Sequence, residues 1–193
     1  SKNHIRELPS ESATQKWTAW DLGVSDSTSI WVCETLGGEV RLMDYYENHG
    51  QPLDHYIGWL DEKGYRDYTH ILPHDVNVRE LQTGKSRYEF LTEAGLNIDV
   101  AAKLSVEDGI MAVRKMLPNA WFNKETTKFG LECLRNYRRV FNEKLNVYQE
   151  KPLHDWSSHC SDAFRYLAVG IDTQGTSTRS NWNKPFESTY DGE

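Results

Sequence analysis

Runs of alternating apolar and polar residues, broken by glycine-bearing turns, fill the first quarter of the chain. Trp17 to Leu22, Ser27 to Glu34 and Gly38 to Glu47 are rich in β-branched and aromatic residues. The breaks between them, Gly23-Val24-Ser25-Asp26 and Thr35-Leu36-Gly37-Gly38, have the length of antiparallel hairpin turns. A three-stranded meander is expected. The period then changes from two to that of a helix: Leu53, Tyr56, Ile57 and Leu60 fall at i, i+3, i+4 and i+7, with Pro52 at the start and Gly64 just past the end.

Thr69 to Pro73 is a short apolar run that stops at proline and delivers His74-Asp75 at its carboxyl end, which predicts a fourth strand. A helix over Ser86 to Ala94 closed by Gly95, and a fifth strand over Asn97 to Val100, follow. Ser105 and Asp108 have the spacing of a capping box before Ile110, Val113 and Leu117, and Pro118 stops that helix. A further helix over Thr126 to Asn136 is expected to turn Phe129, Cys133 and Leu134 inward. Arg138 to Phe141 and Leu145 to Gln149 read as a hairpin with Asn142-Glu143-Lys144 at its tip. In the last helix, capped by Ser157 or Ser158, Phe164, Leu167, Ala168 and Ile171 form an apolar stripe, whereas His159, Asp162 and Tyr166 share another face.

Periodicity is absent at both ends. Residues 1–15 read as a linker, 16–173 as one domain and 174–193 as a mobile tail. With 193 residues and 38% hydrophobic content, the chain can bury one sizeable core. No apolar run has the length of a membrane span and the first residues have no signal-peptide pattern, so a soluble, cytoplasmic protein with no membrane partner is expected. Cys33, Cys133 and Cys160 lack CxxC spacing and read as buried free thiols, neither a disulfide framework nor a thiolate zinc site. The net charge of −7 argues against a surface coated by nucleic acid. Charge is uneven, however: residues 124–151 hold seven cationic against four acidic side chains, a local +3 that leaves −10 elsewhere. An acidic body with one basic segment suits a metal-dependent enzyme that grips a polyanion along one edge.

The chemistry concentrates in three carboxylates. Asp21 sits inside an apolar, strand-forming run, where an ionised side chain is costly without a compensating charge. Asp75 follows the fourth strand, and Asp162 lies near the start of the last helix, whose dipole favours an anion. In the element order βββαβα with a closing helix, these positions converge if the first and fourth strands are parallel neighbours, which is the ribonuclease H-like plan. The expected fold is therefore α/β, with a central mixed five-stranded sheet flanked by helices and an added β-hairpin. Oxygen ligands without thiolates favour two Mg²⁺ or Mn²⁺ ions, which support in-line hydrolysis of a phosphodiester.

Trp20-Asp21-Leu22-Gly23 with Ser25-Asp26-Ser27-Thr28, then Leu72-Pro73-His74-Asp75 leading to Thr83-Gly84-Lys85-Ser86-Arg87, then His154-Asp155-Trp156-Ser157-Ser158-His159-Cys160-Ser161-Asp162-Ala163-Phe164-Arg165-Tyr166, resemble the nuclease domain of the large terminase subunit of tailed bacteriophages. The last motif is the most specific, and the resemblance covers residues 16–172. It implies a two-metal endonuclease that cuts concatemeric double-stranded viral DNA during genome packaging, with Asp21, Asp75 and Asp162 as catalytic metal ligands. It also implies the cytoplasm of an infected bacterium as its place, and an ATPase domain, a small terminase subunit and a portal protein as partners, the last through residues 174–193. Gly84-Lys85-Ser86 imitates the end of a Walker A loop, but Arg79 stands where the first glycine belongs, so no ATPase site is expected and the chain reads as the carboxyl-terminal half of a motor.

Around this triad, Asp26 is either a further ligand or a turn former. His74, His159 and Asp155 are candidates for orienting the ligands, against a plain structural role. Arg79, Lys85 and Arg87 are candidates for phosphate contacts. Arg138, Arg139 and Lys144 either line a DNA groove or protect an edge strand with charge. Two rival functions stay open: a Holliday-junction resolvase-like nuclease, which would prefer branched DNA as a dimer, and a docking module of the packaging motor that does not cut.

Overall fold

The computed structural model describes residues 4–9, 13, 15–23, 27–79 and 84–175. The strands are β1 (Ile5–Arg6), β2 (Gln15–Asp21), β3 (Ser27–Leu36), β4 (Glu39–His49), β5 (Thr69–Leu72), β6 (Asn97–Val100), β7 (Ala120–Asn123), β8 (Arg139–Asn142) and β9 (Val147–Pro152). The helices are α1 (Leu53–Lys63), α2 (Arg87–Glu93), α3 (Val106–Met116), α4 (Lys128–Asn136) and α5 (Ser158–Gly175), and a 3-10 turn covers His74–Asn77. Asp26 and residues 176–193 lie outside the described residues, while α5 reaches two residues into the segment expected as a tail.

β2, β3 and β4 form the expected antiparallel meander, and β5 pairs in parallel with β2 through Trp17 opposite Thr69 and Ala19 opposite Ile71. Among the described residues the sheet has seven strands rather than five, in the order β1-β7-β4-β3-β2-β5-β6. The two additional strands are short and joined only by distant pairing: Ala120 lies opposite Val40, and Ile5, inside the segment read as a linker, lies opposite Phe122. Trp121 supports that edge, stacked on His4 with Arg6 over its ring. Two or four residues carry too little periodicity for either strand to be legible alone. β8 and β9 form the separate hairpin, shifted by one to three residues from the expected bounds, with Asn146 in a left-handed turn conformation.

Both faces of the sheet are covered. Strand alternation sends Trp17, Ala19 and Asp21 toward one face and Thr18 and Trp20 toward the other. On the first, Ala163, Phe164, Leu167 and Ala168 of α5 join Trp31, Cys133 and Met116 in the larger core. On the second, Tyr56, Ile57 and Leu60 of α1 and Leu91 of α2 enclose Trp20, Ile30 and Leu72. The three cysteines are free and buried, as expected. Among the described residues no helix is long and apolar enough to cross a membrane.

Buried polar groups on the α1–α2 face are satisfied in a chain. Trp20 Nε1 donates to Thr18 Oγ1 at 2.7 Å, Thr18 faces His70 Nδ1 at 2.7 Å, and His70 Nε2 faces the Arg66 carbonyl at 3.0 Å. The carbonyl can only accept, so His70 is the neutral tautomer protonated at Nε2, and burial lowers its pKa accordingly. One expectation fails on α4: Phe129 points outward, 49% exposed. Gly130 takes the inward place, because a side chain there would collide with Trp31 and Tyr45.

α2 is short and depends on its amino end. Ser86 Oγ accepts from Glu89 N at 3.1 Å, and Glu89 Oε2 accepts from Ser86 N at 2.8 Å, a complete capping box. Ser86→Ala should cost about 1 kcal/mol, read as a drop in melting temperature of about 2–4 °C. An unchanged midpoint would mean that packing of Leu91 alone holds the helix.

Candidate active site

Asp21, the last residue of β2, is carried to the edge of the core by strand alternation and lies opposite Ser29 of β3. Its carboxylate meets α5: His159 Nδ1 stands 2.8 Å from Asp21 Oδ2, with the two side chains 13% and 18% exposed. A carboxylate only accepts when ionised, so Nδ1 is the donor. Asp162 lies one turn further along α5, its Oδ1 accepting from Arg165 Nη2 at 2.5 Å. Asp75 occupies the 3-10 turn directly after β5, the parallel neighbour of β2, and is exposed beside His74.

The electrostatics bring these three carboxylates together. Asp21 binds its proton more tightly than an ordinary aspartate, first because it is buried, and also because Asp162 and Asp75 repel its charge; the His159 hydrogen bond opposes this. Tyr166, one turn beyond Asp162, is pushed up to about 12 by burial and by the charges of Asp21, Asp162 and Asp75, with Arg165 acting the other way. The same three charges are thus felt from two independent side chains. Among the described residues, no three His, Cys, Asp or Glu side chains already close around a point that could hold a metal ion. The donor set nonetheless fits a hard divalent cation: the oxygens come from carboxylates, and their mutual repulsion at Asp21 is what a cation relieves.

The remaining candidates separate by place. His159 touches Asp21, whereas Asp155 does not serve the triad: its Oδ1 accepts from Ser157 N at 2.9 Å and Ser157 Oγ at 2.6 Å, and these bonds lower its pKa. It shapes the entry to α5. Its place beside His154 in the motif could suggest a ligand-orienting role, but an Asp followed two residues later by Ser is equally a turn signal. Arg79 lies 3.7 Å from Glu89, Lys85 Nζ is 2.7 Å from Glu93, and Arg87 Nη1 donates to the Leu22 carbonyl at 3.1 Å, tying α2 to the end of β2. Arg139 pairs with Glu107 of α3, Arg138 acts on Asp155, and Lys144 is exposed in the hairpin turn. The cations around α2 and those of the hairpin therefore serve opposite faces of the sheet. Arg165 and Tyr166 are the side chains that the sequence motif contained without revealing a role, because their relation to the triad depends on the pitch of α5.

No family model and no curated protein matches the chain. Solved structures do. The nuclease domain of the phage P22 large terminase superposes with a TM-score of 0.66 at 18% identity, over 89% of this chain and 90% of that one. The fold is that of large terminase nuclease domains. The nuclease domain of the bacteriophage SPP1 large terminase, solved with bound Mn, gives 0.61 at 15% identity over 87% of this chain and 95% of that one. A large terminase from a thermophilic bacteriophage gives 0.65 at 19% identity over 87% of this chain. The match spans 42% of that terminase, so what the rest of such a protein does is separate from what this domain contains. In this chain β2 and β5 run in parallel and carry Asp21 and Asp75 at their same ends, where the first turn of α5 meets Asp21 through His159.

Proposed function

We propose that this domain is a divalent-metal-dependent endonuclease that cuts double-stranded, concatemeric viral DNA in a phage packaging motor. The reading is supported by geometry: β2 and β5 run in parallel with Asp21 and Asp75 at their same ends, and α5, which bears Asp162, meets Asp21 through His159. Asp21, Asp75 and Asp162 would hold two Mg²⁺ or Mn²⁺ ions. When bound, such ions supply Lewis acidity toward a phosphodiester and make a nucleophilic hydroxide accessible near neutral pH. His159 fixes the orientation of the Asp21 carboxylate by donating from Nδ1. The product ends would be 3′-hydroxyl and 5′-phosphate.

Within a motor, the partners would be double-stranded DNA, an ATPase domain, a small terminase subunit and a portal protein, in the cytoplasm of the infected bacterium. The net charge of −7 implies weak grip on DNA by this domain alone, with the partners supplying much of the affinity. Tight binding in a titration at physiological salt would contradict that.

Supercoiled plasmid incubated with the protein in Mg²⁺, Mn²⁺ or EDTA tests the activity. Nicking and linearisation in either metal, and none in EDTA, are expected. A folded protein that binds the metal and leaves plasmid intact would favour the docking role, and preferential cutting of a four-way junction would favour the resolvase-like one. His159→Ala should slow cleavage by about 10- to 100-fold, the usual cost of losing a partner that orients a metal ligand. Initial rates on plasmid at saturating metal check this, and a wild-type rate would reduce His159 to a structural residue.

A further inference from the structure

Arg165 makes an arrangement that the three carboxylates do not by themselves explain. Its Nη2 donates to Asp162 Oδ1 at 2.5 Å, and its side chain is 12% exposed. Tyr137 lines the same small cavity as Arg165, beside α3. Arg165 Nε is buried without a hydrogen-bond partner, so the placement of the group is not the one that satisfies all its donors.

What admits the side chain is a glycine on the facing helix. A Cβ at Gly109 of α3 would stand 3.2 Å from Arg165 Cδ, 3.3 Å from Nη1 and 3.4 Å from Cβ. Gly109 lies inside α3 with an ordinary negative φ, so the backbone does not require glycine there. Glycine is a poor helix former, and at this position its gain is the room it leaves.

We infer that Arg165 is a positioning residue for Asp162, seated by Gly109, so that α3 is part of the active-site framework. The guanidinium holds one carboxylate oxygen of Asp162 in a fixed direction and offsets the charge of that carboxylate. A planar fork seated in the space that Gly109 leaves orients a carboxylate in a way that a flexible ammonium does not. The inference rests on the metal-dependent nuclease reading, but its readout is metal binding by the protein alone.

Mn²⁺ binding is measured by isothermal titration without DNA, alongside thermal melting in EDTA and plasmid cleavage. Arg165→Gln should weaken Mn²⁺ binding by about 10- to 100-fold, and Arg165→Lys should restore part of the loss. Gly109→Ala should weaken binding in the same direction while the melting temperature in EDTA stays level or rises, because alanine favours the helix. That opposition separates positioning from simple structural support, and Gly109→Ala carries the test if Arg165→Gln does not fold. Wild-type or tighter Mn²⁺ binding by both variants overturns the inference and leaves the nuclease reading intact. A loss in Arg165→Gln alone keeps the role of Arg165 and overturns that of Gly109. If the wild-type protein neither binds Mn²⁺ nor cuts plasmid, the nuclease reading falls and the inference falls with it.

Discussion

Asp21→Asn is expected to lower metal-dependent plasmid cleavage by more than about 100-fold, beyond the usual effect of losing an orienting partner, and at the same time to raise the melting temperature in EDTA at pH 7. The two effects share one cause. Burial, together with the charges of Asp162 and Asp75, makes the native protein hold a proton on Asp21 more tightly than the unfolded chain does. Stability therefore falls as pH rises from the ordinary carboxylate value through the raised native one, and stays at the lower level above it. Asparagine keeps the shape and can still accept from His159, but carries no charge to bury. The gap in melting temperature should accordingly shrink as the pH is lowered through the raised native value of Asp21 into the ordinary carboxylate range. Mn²⁺ should raise the melting temperature of the wild type more than that of the variant, because the cation relieves the repulsion that the substitution has already removed. A variant that melts below the wild type at pH 7 in EDTA, or that keeps cutting plasmid, would place the metal site elsewhere.

Gly130→Ala is expected to be the most damaging single-methyl change in the core. The added Cβ would lie 2.5 Å from Trp31 Cη2, 2.6 Å from Trp31 Cζ2 and 2.9 Å from Tyr45 Cγ. Trp31 cannot retreat: it is fully buried, packs on Phe122 and Phe164, and donates from Nε1 to the Cys160 carbonyl at 3.0 Å. Overpacking of this kind costs about 3 kcal/mol, the upper part of its usual range, which lowers the melting temperature of a domain this size by about 6–12 °C. Gly170→Ala provides the comparison. Its Cβ would also reach 2.5 Å, but against Ile71 Cδ1, the end of an aliphatic side chain that can rotate away. Thermal melts of both variants should show the larger loss at Gly130; an equal loss would mean that the Trp31 layer yields as readily as a methyl group.

The position of Gly130 illustrates what local pattern could and could not convey. Spacing predicts a helix over residues 126–136 with Phe129 turned inward; the helix forms over Lys128–Asn136, but Phe129 is 49% exposed. A large apolar residue normally signals the inward face, but the close approach of α4 to Trp31 makes the smallest residue the inward one. Asp155 shows the same limit in the candidate site: its motif neighbours suggested a ligand-orienting role, and its carboxylate instead closes a turn with Ser157.

The sequence by itself determined the meander, the helices with their caps, the strand that presents Asp75, and the three carboxylates, because each of these follows from residues within a few positions of one another. Period, cap and turn chemistry are short-range properties, and a single chain displays them directly. Only the tertiary structure decided the strand order, the edge strands β1 and β7, and the contact of His159 with Asp21, whose partners are 138 residues apart. It also decided that Gly109 of α3 faces Arg165, leaving room for the side chain that pairs with Asp162 on its own helix. Such contacts depend on which strands pair and on where α5 and α3 settle against the sheet. That choice is made by the packing of whole faces, which no local stretch of residues encodes.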